Sequence, residues 1–167
     1  MPKTVAIRET TKEDESSFIA LARASIALHK PWVSAPTTAK AFRRYLAHFD
    51  SKNNFTFVVY LRASGKLVGA IHITEAVYGS FRSAYLGYYA FTGAERQGLM
   101  TKGLKLAVRH AFNKLKLHRL EANIQPNNTA SIALVRACGF TREGYSRAYL
   151  KIGGRWQDHE RWAIVRE

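Results

Sequence analysis

One stretch limits the folds open to this chain more than any other: the run from Glu95 to Phe140. A strand-like segment ending near Phe91 passes into the loop Glu95-Arg96-Gln97-Gly98-Leu99-Met100, which opens a basic amphipathic helix. The strand His118–Ile124 follows. Pro126-x-Asn128-x-x-Ser131 then starts a second helix that stops at Gly139-Phe140. A loop feeding a helix N-terminus presents unpaired backbone N–H groups, and the helix dipole adds to their attraction for an anion. Two such starts, each preceded by a strand, can hold both ends of a long, negatively charged ligand.

The flanking segments give the rest of the frame. Val5–Glu9 reads as a short strand, and Thr11 or Asp14 caps a helix to about His29, with Phe18, Leu21, Ala22, Ser25 and Leu28 near helical spacing. Thr38 caps a second helix to about Phe49. Phe55–Leu61, Leu67–Glu75 and Ala84–Phe91 form an antiparallel meander, turned first by Ala63-Ser64-Gly65-Lys66. Gly87 within the third of these strands predicts a bulge that would splay it from its neighbour after the crossover and open a cleft. Tyr145–Ile152 and Trp156–Val165 close the chain as a hairpin around Gly153-Gly154. The order β-α-α-β-β-β-α-β-α-β-β predicts an α/β (α+β) fold with a mixed, mostly antiparallel sheet of about seven strands. Helices cover both faces, and the sheet is splayed between strands 4 and 5.

With 167 residues, no repeat and no linker, the chain reads as a single domain, 1–167. No apolar run approaches the ~20 residues that span a bilayer. Met1-Pro2-Lys3-Thr4 lacks the apolar stretch of a secretory leader, and the lone Cys138 allows no internal disulfide. These features predict a cytoplasmic protein with no membrane contact. Scattered histidines beside one cysteine leave no zinc-ligand spacing, so no metal is expected. The charge is lopsided: 26 Lys+Arg against 12 Asp+Glu give +14 and a pI near 10.2. Such a field speeds capture of polyanions, among them a phosphorylated cofactor or RNA, and Lys102, Lys105 and Arg109 line one face of the basic helix.

Taken together, the loop into a helix, the Asn-x-x-Ser helix start and the Gly-Phe after it resemble the GNAT acetyltransferase superfamily. Several segments are similar to the ribosomal-protein-alanine N-acetyltransferases within it. They are Gly79-Ser80-Phe81, Tyr85-Leu86-Gly87-Tyr88, Gln97-Gly98-Leu99-Met100, His118-Arg119 with Glu121-Ala122-Asn123, Gly139-Phe140 with Glu143-Gly144-Tyr145, Tyr149-Leu150, and Gly154-x-Trp156-x-Asp158-His159. The resemblance covers residues 66–165 strongly and the N-terminal third in outline. It implies acetyl transfer from acetyl-CoA to a protein N-terminal α-amine, with a ribosomal protein as acceptor and the basic surface meeting ribosomal RNA, by a monomer or homodimer. Acetylation of a small amine or of aminoacyl-tRNA, and a non-catalytic RNA- or ribosome-binding module, stay open beside it.

The same resemblance assigns the site. Tyr89, Ala90 and Phe91 offer strand backbone to the cofactor; Arg96, Gln97, Gly98, Leu99, Met100 and Thr101 form its phosphate loop; Asn128 meets the pantetheine arm, and Ser131 the leaving sulfur. The loop departs from the superfamily's Gln/Arg-x-x-Gly-x-Gly/Ala, because Arg96 stands at the first glycine. Its guanidinium is expected to reach the diphosphate instead. Many superfamily members carry a tyrosine general acid where this chain has Val135, and one related type carries a glutamate base where it has Leu150. Glu75, at a meander strand end, is therefore the candidate base, with Glu121 second and His72 third. Trp32, Tyr88, Tyr89 and Trp156 are candidates for the acceptor groove, and Cys138 is expected to pack rather than react.

Overall fold

The computed structural model describes residues 2–167. Met1, where the expected domain and the leader reading both begin, lies outside them. The strands are β1 (Val5–Glu9), β2 (Phe55–Leu61), β3 (Leu67–Val77), β4 (Ser83–Ala90), β5 (Arg119–Ile124), β6 (Thr141–Ile152) and β7 (Arg155–Val165). The helices are α1 (Glu15–Ala24), α2 (Ile26–His29), α3 (Ala39–His48), α4 (Leu99–Asn113) and α5 (Thr129–Ala137). One seven-stranded sheet runs in the order β1-β2-β3-β4-β5-β7-β6.

Alternation along the strands sorts their side chains onto two cores. Phe57, Val59, Ile71 and Ile73 pack with Leu104, Ala107 and Ala111 of α4. Val58 and Ala70 point the other way, onto Phe18 of α1 and Phe42 of α3. Helix α4 lies close enough on the sheet that a Cβ at Gly103 would come within 2.7 Å of Val59 Cγ1. No helix among the described residues is long and apolar enough to cross a membrane.

The expected splay is present. β4 and β5 pair in parallel only from Ser83↔Arg119 to Tyr85↔Glu121, while β4 continues to Ala90 and β5 to Ile124. The expected cause is not. Gly87 pairs with His72 in unbroken register, and the irregularity lies between Thr74 and Val77, where Glu75 takes φ +52°. β4 and β5 part because each has a different continuation: β4 runs into the loop before α4, and β5 into the start of α5.

The first predicted helix is also interrupted. Ser25 (φ −102°, ψ 6°) leaves the helical region between α1 and α2. Its hydroxyl donates to Leu21 O (2.6 Å) and accepts from Thr92 N (2.9 Å), which ties the break to the end of β4. Thr38 caps α3 as expected, accepting from Ala41 N at 3.1 Å.

Candidate active site

Where β4 leaves β5, a cavity of about 860 Å³ opens. Its walls are His29 and Trp32, residues 88–90 of β4, Glu95, Arg96 and Gly98 of the loop, the first turn of α4, and Asn128 and Ser131 at the start of α5. The two helix starts singled out in the sequence therefore face one space.

The loop wall is made of main chain. Gly98 precedes α4 with φ +68° and no side-chain cap. No acceptor among the described residues takes the N–H groups of residues 96–101; the first internal bond runs from Lys102 N to Gly98 O at 3.2 Å. Arg96 has φ +57°, so it keeps the left-handed backbone that a glycine adopts without cost and adds a guanidinium at the cavity wall. Glu95 turns its carboxylate back on the loop, where it accepts from Gly93 N and Thr92 Oγ1. Backbone N–H groups, its own foremost, hold that carboxyl below its ordinary range.

On β4 only alternate residues are available. Phe91 N donates to Val68 O at 2.8 Å. In an antiparallel ladder the residues that exchange bonds alternate, so Tyr89 and Gly87 also turn their main chain to β3, while Tyr88 and Ala90 turn theirs to the gap. The Ala90 carbonyl already accepts from His29 Nε2 at 2.7 Å, which leaves the N–H groups of Tyr88 and Ala90 for a ligand. Phe91 is withdrawn from the expected cofactor set: it is fully buried against Phe18 and its N–H is used within the sheet. Tyr89 contributes its flank and not its main chain.

The Gln97 side chain accepts from Lys3 Nζ (2.6 Å) and donates to Gly93 O (2.8 Å), bracing the loop, while its N–H stays among the open loop amides. Leu99, Met100 and Thr101 line the cavity.

The α5 wall is made of side chains. Asn128 Oδ1 caps the helix by accepting from Ser131 N (3.3 Å), so the capping role and the place in the cavity coincide. Ser131 Oγ lies 2.7 Å from Tyr88 Oη. Burial, the largest cause, pushes the Tyr88 phenol far above its usual range, so it stays protonated. Val135 is fully buried, and Cys138 packs beneath α4 with its thiol pushed up by burial.

The base candidates lie apart from this cavity. Glu75 is exposed at the kink in β3 and does not line it. It belongs to a second group at the apex of the splay, where burial first, then Tyr149, Glu121 and Glu75, raise the Tyr85 phenol. Glu121 is held by Arg119 at 2.8 Å. His72 Nε2 lies 2.8 Å from the Tyr45 hydroxyl, and burial pushes its imidazole down to about 4. Trp156 is 63% exposed and lies away from the cavity, on the outer hairpin. Sequence reasoning missed His29 as a wall residue and Tyr88 as the partner of Ser131. Nothing in the helical periodicity marks the first, and the second is a contact between residues 43 apart.

A seven-stranded sheet that parts around a cavity, with an open main-chain loop entering a helix, defines an acetyltransferase fold of one kind. The acetyltransferase (GNAT) domain model matches residues 4–141, and the chain belongs to that family. Among its relatives, a Bacillus subtilis protein described as a probable N-acetyltransferase, YjcK, is 31% identical over 126 residues, 75% of this chain and 70% of its own length. The Escherichia coli [ribosomal protein uS5]-alanine N-acetyltransferase is 35% identical over 111 residues, 66% of this chain but only 57% of that enzyme. In three dimensions, Mycobacterium smegmatis RimJ in complex with CoA-disulfide superposes with a TM-score of 0.89 at 26% identity, covering 98% of this chain and 83% of that one. The chain is thus an N-acetyltransferase by family.

Proposed function

We propose that this single domain transfers acetyl from acetyl-CoA to the N-terminal α-amine of a protein, with a ribosomal protein as acceptor. The observation that carries the cofactor half is the run of unpartnered N–H groups from residue 96 to 101, opening onto a cavity that ends at Ser131. Main-chain donors at a helix start suit a diphosphate, and Arg96 adds a charge-assisted contact. From there the pantetheine arm would pass Asn128 and lie along the gap edge of β4. The Tyr88 and Ala90 N–H groups would then meet the thioester carbonyl and stabilise the oxyanion that forms on attack. Glu75, through water, would take the amine proton from the far side of the splay.

The acceptor half rests on the similarity to the uS5-alanine enzyme, and on chemistry. A protein α-amine has a pKa of ~8 and lysine ~10.4, so an α-amine needs roughly 3 kcal/mol less to be deprotonated at neutral pH. A solvent-exposed, water-relayed carboxylate suits the easier task. The +14 charge repels polycationic small amines and favours a site of work beside ribosomal RNA, in the cytoplasm.

Release of free thiol from acetyl-CoA with alanine-starting peptides tests the reading. The expected kcat/KM rises with pH and levels above ~8, the α-amine pKa. Turnover with spermidine and none with any N-terminal peptide rejects the acceptor.

A further inference from the structure

The position from which many superfamily members donate a proton to the leaving sulfur is occupied here by Val135, which is fully buried and has no polar atom to give. The cavity nevertheless holds a phenol at its thiol end. Tyr88 reaches it from β4, across the gap, and its Oη lies 2.7 Å from Ser131 Oγ and 3.1 Å from Ser131 O. Both residues line the cavity. Ser131 is fixed from its other side as well, because its N–H goes to the Asn128 side chain.

A tyrosine hydroxyl carries one proton and a serine hydroxyl one, and each oxygen can also accept. The Tyr88 proton has two acceptors in reach, Ser131 Oγ at 2.7 Å and the Ser131 carbonyl at 3.1 Å, and the hydroxyl is the nearer. With Tyr88 donating to Oγ, the Ser131 hydrogen is free for a sulfur that becomes an anion. With Tyr88 donating to the carbonyl, that hydrogen would be spent on Tyr88. A developing thiolate beside Ser131 favours the first arrangement, because it gives the anion a donor.

We propose that Tyr88 is a positioning residue for acetyl transfer: its O–H is fixed on Ser131 Oγ and so aims the serine O–H at the departing sulfur. This rests on the placement of the thiol at Ser131 given above. The amine nitrogen adds to the thioester carbonyl carbon, and the C–S bond breaks with its electron pair passing to sulfur. The proton that the thiol finally carries is the one the amine sheds, so Tyr88 gives up none. Its phenol, kept protonated by burial, remains a donor across the working pH range. The superfamily's tyrosine role would here be divided between a strand and a helix.

Four proteins test this: wild type, Tyr88→Phe, Ser131→Ala and the double variant, with acetyl-CoA as donor. The acceptor is whichever of an alanine-starting peptide, spermidine or water the wild type uses, so failure of the acceptor assignment leaves the test intact. The single variants are each expected to lower kcat about 10-fold with KM for acetyl-CoA within about 2-fold. The double variant is expected to be no slower than Ser131→Ala alone, because one hydrogen-bonded unit is lost once. With an acetyl thioester of a more acidic thiol, the Tyr88→Phe deficit is expected to shrink, which a packing defect would not do. If Tyr88→Phe does not fold, Tyr88→Leu, smaller and also without the hydroxyl, takes its place with its melting temperature recorded beside the rate. Deficits that multiply to about 100-fold, or that ignore the leaving group, overturn the proposal. A Ser131→Ala enzyme at full rate instead overturns the placement of the thiol.

Discussion

The two helix starts that bound the cavity solve the same problem in opposite ways. At α4 the end is left open: Gly98 offers no side-chain cap, and the N–H groups of residues 96–101 find no partner among the described residues. At α5 the end is closed by Asn128, whose carboxamide accepts from Ser131 N. An open end made of main chain tolerates a change of side chain so long as the backbone keeps its path, which is why Arg96 can stand at a family glycine with φ +57°. A closed end made of side chains depends on which atoms those side chains carry. The first wall binds by shape and field, the second by identity.

The largest effect should therefore come from bending the open end without touching any contact. Gly98 has φ +68°, and a Cβ there would meet no protein atom within 4 Å, so within the chain the cost of substitution falls on the backbone. Gly98→Val places a β-branched residue in the left-handed region, at a cost of about 1–3 kcal/mol. We expect acetyl-CoA to bind about 10- to 100-fold more weakly by calorimetry, with Gly98→Ala intermediate. Unchanged binding in Gly98→Val would erase the distinction between the two walls.

At the closed end the corresponding change is Asn128→Ala. It removes a cap and leaves the Ser131 N–H without its acceptor, at a cost of about 1 kcal/mol of stability. The melting temperature should fall by roughly 2–4 °C, and kcat should fall with it because Ser131 loses one of its two restraints. A lower melting temperature with an unaltered kcat would make Asn128 a cap and nothing more.

The smallest effect is expected at Arg96. Arg96→Gly relieves the left-handed backbone and removes a cation, so stability should hold or rise slightly while KM for acetyl-CoA increases a few-fold. That increase should shrink as salt is added, since the lost term is a partly exposed charge. A KM that is unchanged or lower would show the guanidinium pointing to solvent.

What the sequence made legible follows the same division. The order of elements along the chain and both helix starts were readable because they depend on local periodicity, one glycine and one helix-capping pattern; the splay was expected from Gly87 but arises where β4 and β5 run into different continuations. The open loop was readable despite Arg96, because Gly98 and the flanking strand and helix survive. Contacts between distant segments were not. Ser25 reads as one more position on a helical face, yet its hydroxyl meets Thr92 N and breaks the helix. Phe91 reads as the end of a cofactor-facing strand, but alternation turns its main chain to Val68. Gly87 suggests a bulge that lies instead at Glu75. Each miss is a choice between two locally acceptable conformations made by a partner far along the chain.

Crystals grown with CoA would show which atoms hold the diphosphate. Its oxygens are expected within about 3 Å of N–H groups between residues 96 and 101, a hydrogen-bonding distance, with the thiol beside Ser131. Density that carries the diphosphate to Lys105 and Arg109, leaving the loop amides to water, would contradict this placement.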